Sequence, residues 1–124
     1  MILEEELTQQ IIGAAIEVHR EVGPGLLESA YQAFLIHELV QRGLRVRVQE
    51  ALPVRYKGVE VECGFRIDLI VNDVVLIELK AVEKLAPIHE AQLITYLKLS
   101  GIRVGLLINF NVEVLKQRIK RRVV

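Results

Sequence analysis

The sequence predicts an α/β fold: one mixed β-sheet with helices packed against it. Three features of the chain predict it. Two segments with helical apolar spacing come first, several strand-like segments follow, and a helix opened by Pro87 then separates two nearly continuous apolar runs. The 124 residues fit one domain, residues 1–124, and a chain that is 52% hydrophobic can bury a core without disulfides or metals to hold it.

Residues 5 to 21 place Leu7, Ile11, Ala14, Ala15 and Val18 at three- and four-residue steps, hence on one helix face. Gly23-Pro24-Gly25 stops that helix and forces a turn. A second helix is expected from about Leu26 to Arg42. Its apolar face is Leu27, Ala30, Tyr31, Phe34, Leu35, Leu39 and Val40, and Gly43 ends it. Leu44 to Glu50 alternates as a strand does, Leu52 to Tyr56 continues in that style, and Lys57-Gly58 makes a turn. Val59 to Val71 reads as mostly strand, broken near Gly64, and Val74 to Val82 as another strand. The run Val74-Val75-Leu76-Ile77 is that of a strand buried on both faces. Pro87 suits a first helical turn, and that helix runs to about Ser100 and closes at Gly101. Arg103 to Asn109 reads as a buried strand. Val112 to Ile119 follows no single pattern, and the ending RIKRRVV alternates weakly, as a terminal strand would.

Composition closes off several functions. The opening MILEEELTQQ has three glutamates and no basic region, unlike a secretory signal. No apolar run approaches the roughly 18 residues of a membrane span, so the chain reads as soluble and cytoplasmic. Cys63 is the single cysteine, which rules out an internal disulfide, and it has no Cys or His partner at zinc spacing. With 16 basic and 16 acidic residues the net charge is zero, which argues against coating nucleic acid non-specifically. The charges are uneven, however. Residues 116–122 hold Lys116, Arg118, Lys120, Arg121 and Arg122 without an acid. This stretch reads as a solvated chain end, with phosphate contact as the alternative. Gly23-Pro24-Gly25 is too short for a phosphate loop and lacks its lysine, and no Ser-His-Asp arrangement follows from spacing.

The chemistry concentrates on one hairpin. Asp68 lies in GFRIDLIV, and Glu78-Leu79-Lys80 follows in VVLIELKAV across Asn72-Asp73. Glu78 and Lys80 are two apart on one strand and share a face. The register decides whether Asp68 joins them. A two-residue loop sets Asp68 opposite Ile77, on the wrong face; a three-residue loop or a bulge sets it opposite Glu78. The site therefore requires an irregularity between residues 66 and 80. Two carboxylates there would make a hard anionic pocket suited to Mg²⁺ or Mn²⁺. Such an ion lowers the pKa of bound water and stabilises charge on a phosphodiester. A lysine two residues on would orient that water or stabilise the developing charge. The bland counterpart is an ion pair on a solvated strand face. The apolar run around Glu78 weighs against it, since a lone charge there is costly to bury.

Asp68 followed by Glu78-x-Lys80 resembles the core motif of the PD-(D/E)XK nuclease superfamily, with Ile67 where a proline is expected. Gln92 and Tyr96, one helical turn apart, resemble the Q-x-x-x-Y motif of its exonuclease branch. Gly25, Glu28 and Tyr31 match G-x-x-E-x-x-Y, the signature that names a family of small bacterial proteins in the superfamily. The similarity extends through IEVHREVGPGLLESAY, DLIV, IELKAVEKL, HEAQLITYLKLSG and VGLLINF. The resemblance implies a restriction-endonuclease-like core. It makes Asp68, Glu78 and Glu28 the metal-site acids, Glu28 positioning metal-bound water, with Lys80 catalytic and Gln92 and Tyr96 supporting the site or touching substrate. By pattern alone, Glu28 is a first-turn acid stabilised by the helix N-terminus. His19 and His89 fall in matched segments but read as a helix-end or boundary residue and a first-turn residue.

The expected activity is a Mg²⁺- or Mn²⁺-dependent nuclease acting on DNA, or on RNA. The alternative is a silent nucleic-acid-binding or protein-interaction module on the same fold. It draws support from the neutral charge, the small size and the few aromatics, with a homodimer or a protein partner supplying further surface. A third option is a structural subunit of a larger assembly.

Overall fold

The computed structural model describes residues 3–62 and 64–124; Cys63 and the reading attached to it lie outside them. In chain order the elements are α1 (Glu5–Val22), α2 (Glu28–Gln41), β1 (Val46–Ala51), β2 (Val54–Tyr56), β3 (Val59–Val61), β4 (Arg66–Val71), β5 (Val75–Lys80), α3 (Pro87–Ser100), β6 (Val104–Asn109), a short 3₁₀ turn (Leu115–Arg118) and β7 (Ile119–Val123). Five strands form one sheet in the order β1-β4-β5-β6-β7, and β2 and β3 form a separate hairpin. Among the described residues only β5 and β6 run parallel. A parallel pair needs a crossover, and α3 supplies it. The expected mixed sheet flanked by helices is what the chain forms.

The sheet buries both faces. On one, Ile11, Ala14, Ala15 and Val18 of α1 and Tyr31, Leu35 and Leu39 of α2 pack on Leu69, Val71, Val75, Ile77, Leu79, Leu106 and Ile108. On the other, Leu93 and Leu97 of α3 cover Ile70, Leu76 and Leu107. Alternate residues of β5 thus enter different cores, which is why its apolar run is unbroken until Glu78. A Cβ on Gly105 would come within 2.9 Å of Leu93 Cδ1 and 3.1 Å of both Leu97 Cδ atoms, so this glycine lets α3 sit close to β6.

The structure corrects two readings. The apolar face of α2 is narrower than expected: Leu27 is 77% exposed, Val40 54% and Phe34 40%, while Tyr31, Leu35 and Leu39 are fully buried. Those three lie at four-residue steps and form one stripe, with Ile36 packed partly buried beside it. The basic ending is no solvated chain end either. Residues 119–123 pair antiparallel with β6, and both Lys120 and Arg122 bridge Glu90 of α3 at 2.8 Å. Among the described residues no helix is long and apolar enough to cross a membrane.

Candidate active site

The hairpin carries the required irregularity. Strands β4 and β5 pair as Leu69–Ile77, Ile70–Leu76 and Val71–Val75. Asn72 and Asp73 take the left-handed φ values of 50° and 62°, and Val74 N–H donates to the Val71 carbonyl at 3.1 Å. Val74 is left outside the ladder, so the loop counts three residues and the register shifts by one. Carried one step further, this register sets Asp68 opposite Glu78.

There the ladder stops, and side chains replace its hydrogen bonds. Asp68 N–H donates to Glu78 Oε1 at 3.2 Å, and Leu79 N–H donates to Asp68 Oδ2 at 2.8 Å. Each carboxylate is therefore fixed by the backbone of the opposite strand. Glu78 is 7% exposed. Burial, and then the neighbouring Asp68 carboxylate, pushes its pKa up to about 8, against the lowering effects of the Asp68 N–H and of Lys80. Lys80, half-buried at the end of β5, forms no salt bridge among the described residues.

Glu28 opens α2 and reaches the same centre. Its carboxyl is raised above the ordinary range by partial burial, then by Asp68, with Lys80 opposing. The loop before it is tied down. Tyr31 OH donates to the Gly23 carbonyl at 2.7 Å and accepts from Leu26 N–H at 3.1 Å, while Gly25 N–H donates to Asn111 Oδ1 at 3.1 Å. Tyr31 itself stacks on Phe110 with ring centroids 4.5 Å apart. On α3, Tyr96 feels the pair too: its phenol is raised by burial, then by Glu78 and Asp68. Gln92 and Tyr96 line a shallow apolar groove with Phe65 and Ile88.

The structure thus brings Asp68, Glu78 and Lys80 together, with Glu28 and Tyr96 in electrostatic range and Gln92 one helical turn from Tyr96. Among the described residues no three His, Cys, Asp or Glu side chains converge to hold an ion, so Glu28 approaches the pair without joining it. The donors still fit a hard divalent cation. All are oxygens, and a cation between the carboxylates would offset both the burial and the repulsion from Asp68 that raise Glu78. The two histidines lie elsewhere. His19 Nε2 sits 2.6 Å from the Val112 carbonyl, and Ala86 N–H donates to His89 Nδ1 at the start of α3.

Four residues escaped the sequence reading. Asn109, 1% exposed, clamps the segment after Lys80 through both Val82 backbone groups, and Asn111 holds Gly25. Two asparagines flanking Phe110 at the end of a buried strand were the available signal. Gln49 donates to Asp68 and to Gln32, and a glutamine on a helix or an alternating strand carries no such signal. Beside the carboxyl ends of β5 and β6 lies a groove of about 480 Å³ lined by Glu83, Lys84, Asn109, Arg118 and Lys120 among others. Crevices at such strand ends are where ligands of parallel sheets bind.

A family model for the PD-(D/E)XK nuclease superfamily matches residues 5–122, and the chain belongs to that superfamily. No curated protein and no solved structure matches it.

Proposed function

We propose that this chain is a divalent-metal-dependent nuclease that hydrolyses phosphodiesters of DNA, or of RNA, and that it belongs to the G-x-x-E-x-x-Y family as one cytoplasmic domain. One observation carries the reading: Asp68 and Glu78 hold each other's strand where the ladder opens, and Glu78 is raised by burial and then by the Asp68 carboxylate. Asp68, Glu78 and a backbone carbonyl near Leu79 would hold Mg²⁺ or Mn²⁺. The ion, when bound, supplies an activated water and charge neutralisation. Glu28 orders water on the open side. Lys80 offers its ammonium to the attacking water and the phosphoryl oxygens. Gln92 and Tyr96 brace the site from α3. Hydrolysis places the water's hydroxyl on phosphorus and its proton on the departing oxygen.

A silent binding module on the same fold is favoured by one observation. The chain is neutral, and Lys120 and Arg122 are already bridged to Glu90, which leaves a small basic surface unless a second copy or a protein partner extends it.

The deciding experiment is cleavage of labelled single- and double-stranded DNA and RNA with Mg²⁺ or Mn²⁺. It compares the wild type with Asp68→Asn and Lys80→Ala. Metal-dependent cleavage reduced about 100-fold or more in both variants is the expected result. No cleavage of any substrate favours the silent module, and activity that survives both changes places cleavage outside Asp68 and Lys80.

A further inference from the structure

Gln49 lies on β1 directly across from Asp68. The β1–β4 register runs Val48–Leu69 and then Glu50–Ile67, so the residue count is unchanged, yet the pair between them is missing. At that point Gln49 has φ 51°, a left-handed conformation that a residue with a side chain adopts at a cost. The break also re-aims the neighbours on β4: Leu69 packs in the core under α1 and α2, Ile67 in the core under α3. Gln49 Nε2 donates to Asp68 Oδ1 at 3.1 Å and to Gln32 Oε1 at 2.8 Å. A carboxylate only accepts, so the amide nitrogen must be the atom that faces it. Leu79 N–H holds the other Asp68 oxygen at 2.8 Å. Gln32 stands four residues after Glu28, on the same side of α2.

We propose that Gln49 is a positioning residue: its left-handed backbone aims an amide at Asp68, and the chain Gln32–Gln49–Asp68 fixes the rotation of the metal-site carboxylate relative to the helix that carries Glu28. This rests on the assignment of Asp68 and Glu78 to a metal site. With a donor on each oxygen, the rotation of the carboxylate plane is set. An extended residue at position 49 would restore the ladder but would withdraw the amide.

The test is Mn²⁺ binding by titration calorimetry on the full chain, with the metal-free Tm measured in parallel. Gln49→Gly relieves the backbone, so it should hold or raise the Tm while weakening Mn²⁺ binding about 10- to 100-fold. Gln49→Asn keeps an amide and tolerates the left-handed region, and should retain more affinity than Gln49→Ala. Undiminished Mn²⁺ binding by both Gln49→Gly and Gln49→Ala overturns the proposal, as does a Tm lowered together with affinity in Gln49→Gly. A wild type that binds no Mn²⁺ removes the metal site itself, and this proposal with it. Intact wild-type binding, unchanged in the variants, removes the positioning role alone.

Discussion

The Tyr31 hydroxyl closes the loop ahead of Glu28 by donating to the Gly23 carbonyl at 2.7 Å, eight residues back along the chain. The same oxygen accepts from Leu26 N–H, and the ring is wedged against Phe110. Glycine, glutamate and tyrosine at this spacing therefore form one device. Gly23 and Gly25 take φ values of 66° and 97°, Tyr31 locks the result, and Glu28 is delivered at the first position of α2.

Tyr31→Phe keeps the stack and removes both hydrogen bonds. Urea unfolding should show a loss of about 1–3 kcal/mol. Turnover should fall further than that stability loss explains, with KM little changed, because Glu28 loses its fixed approach. Equal turnover in the two proteins would separate the loop from catalysis.

The carboxylate pair predicts a pH dependence. Glu78 titrates at about 8 in the folded chain against 4.5 ordinarily, so between those values the folded state holds more protons than the unfolded one. The contribution to metal-free stability is complete below 4.5 and is lost as pH rises through 8, at up to about 1.4 kcal/mol per pH unit. Unfolding of wild type and Glu78→Gln across this window isolates the effect, as a difference that widens with rising pH while the wild type falls below the variant. On the proposed metal site, Mn²⁺ would bind the ionised pair, so its affinity should climb over the same range. A difference that stays flat would contradict the burial of Glu78.

Lys84 lines the groove beside the carboxyl ends of β5 and β6. If that groove follows a nucleic-acid backbone, Lys84→Ala in the Asp68→Asn background should lower the slope of log K against log salt by about 0.9 for duplex or 0.7 for single strands. Fluorescence anisotropy at several salt concentrations reads it. An unchanged slope would move the backbone off this groove.

Much of the fold was legible because periodicity and turn residues agreed. Helices ended at Gly23, Gly43 and Gly101, and Pro87 opened α3 as its type suggests. The site was legible up to a choice of register. The unbroken apolar run of β5 conceals which residues face which core, so pattern alone could not seat Asp68 opposite Glu78. The structure settles it by burying Leu69, Val71, Val75 and Ile77 in one core. Gln49 was invisible for a different reason. Left-handed backbone is foretold by glycine or asparagine, and a glutamine there is held by partners distant in sequence. The exposed Leu27 and Phe34 show the opposite error, in which apolar spacing promised more covering surface than the neighbouring elements provide.

Asp68 and Glu78 stand in for two missing rungs of the ladder as well as facing each other. A descendant that abandoned the proposed hydrolysis would not thereby be free to lose polar groups here. Leucine or valine at these positions would strand a backbone N–H, costing about 1–3 kcal/mol. Asparagine in place of Asp68 and glutamine in place of Glu78 keep the acceptors and drop the charge. Inactivation in this lineage should thus pass through amides before hydrocarbons, and an amide pair would mark a retired enzyme whose architecture still remembers its trade.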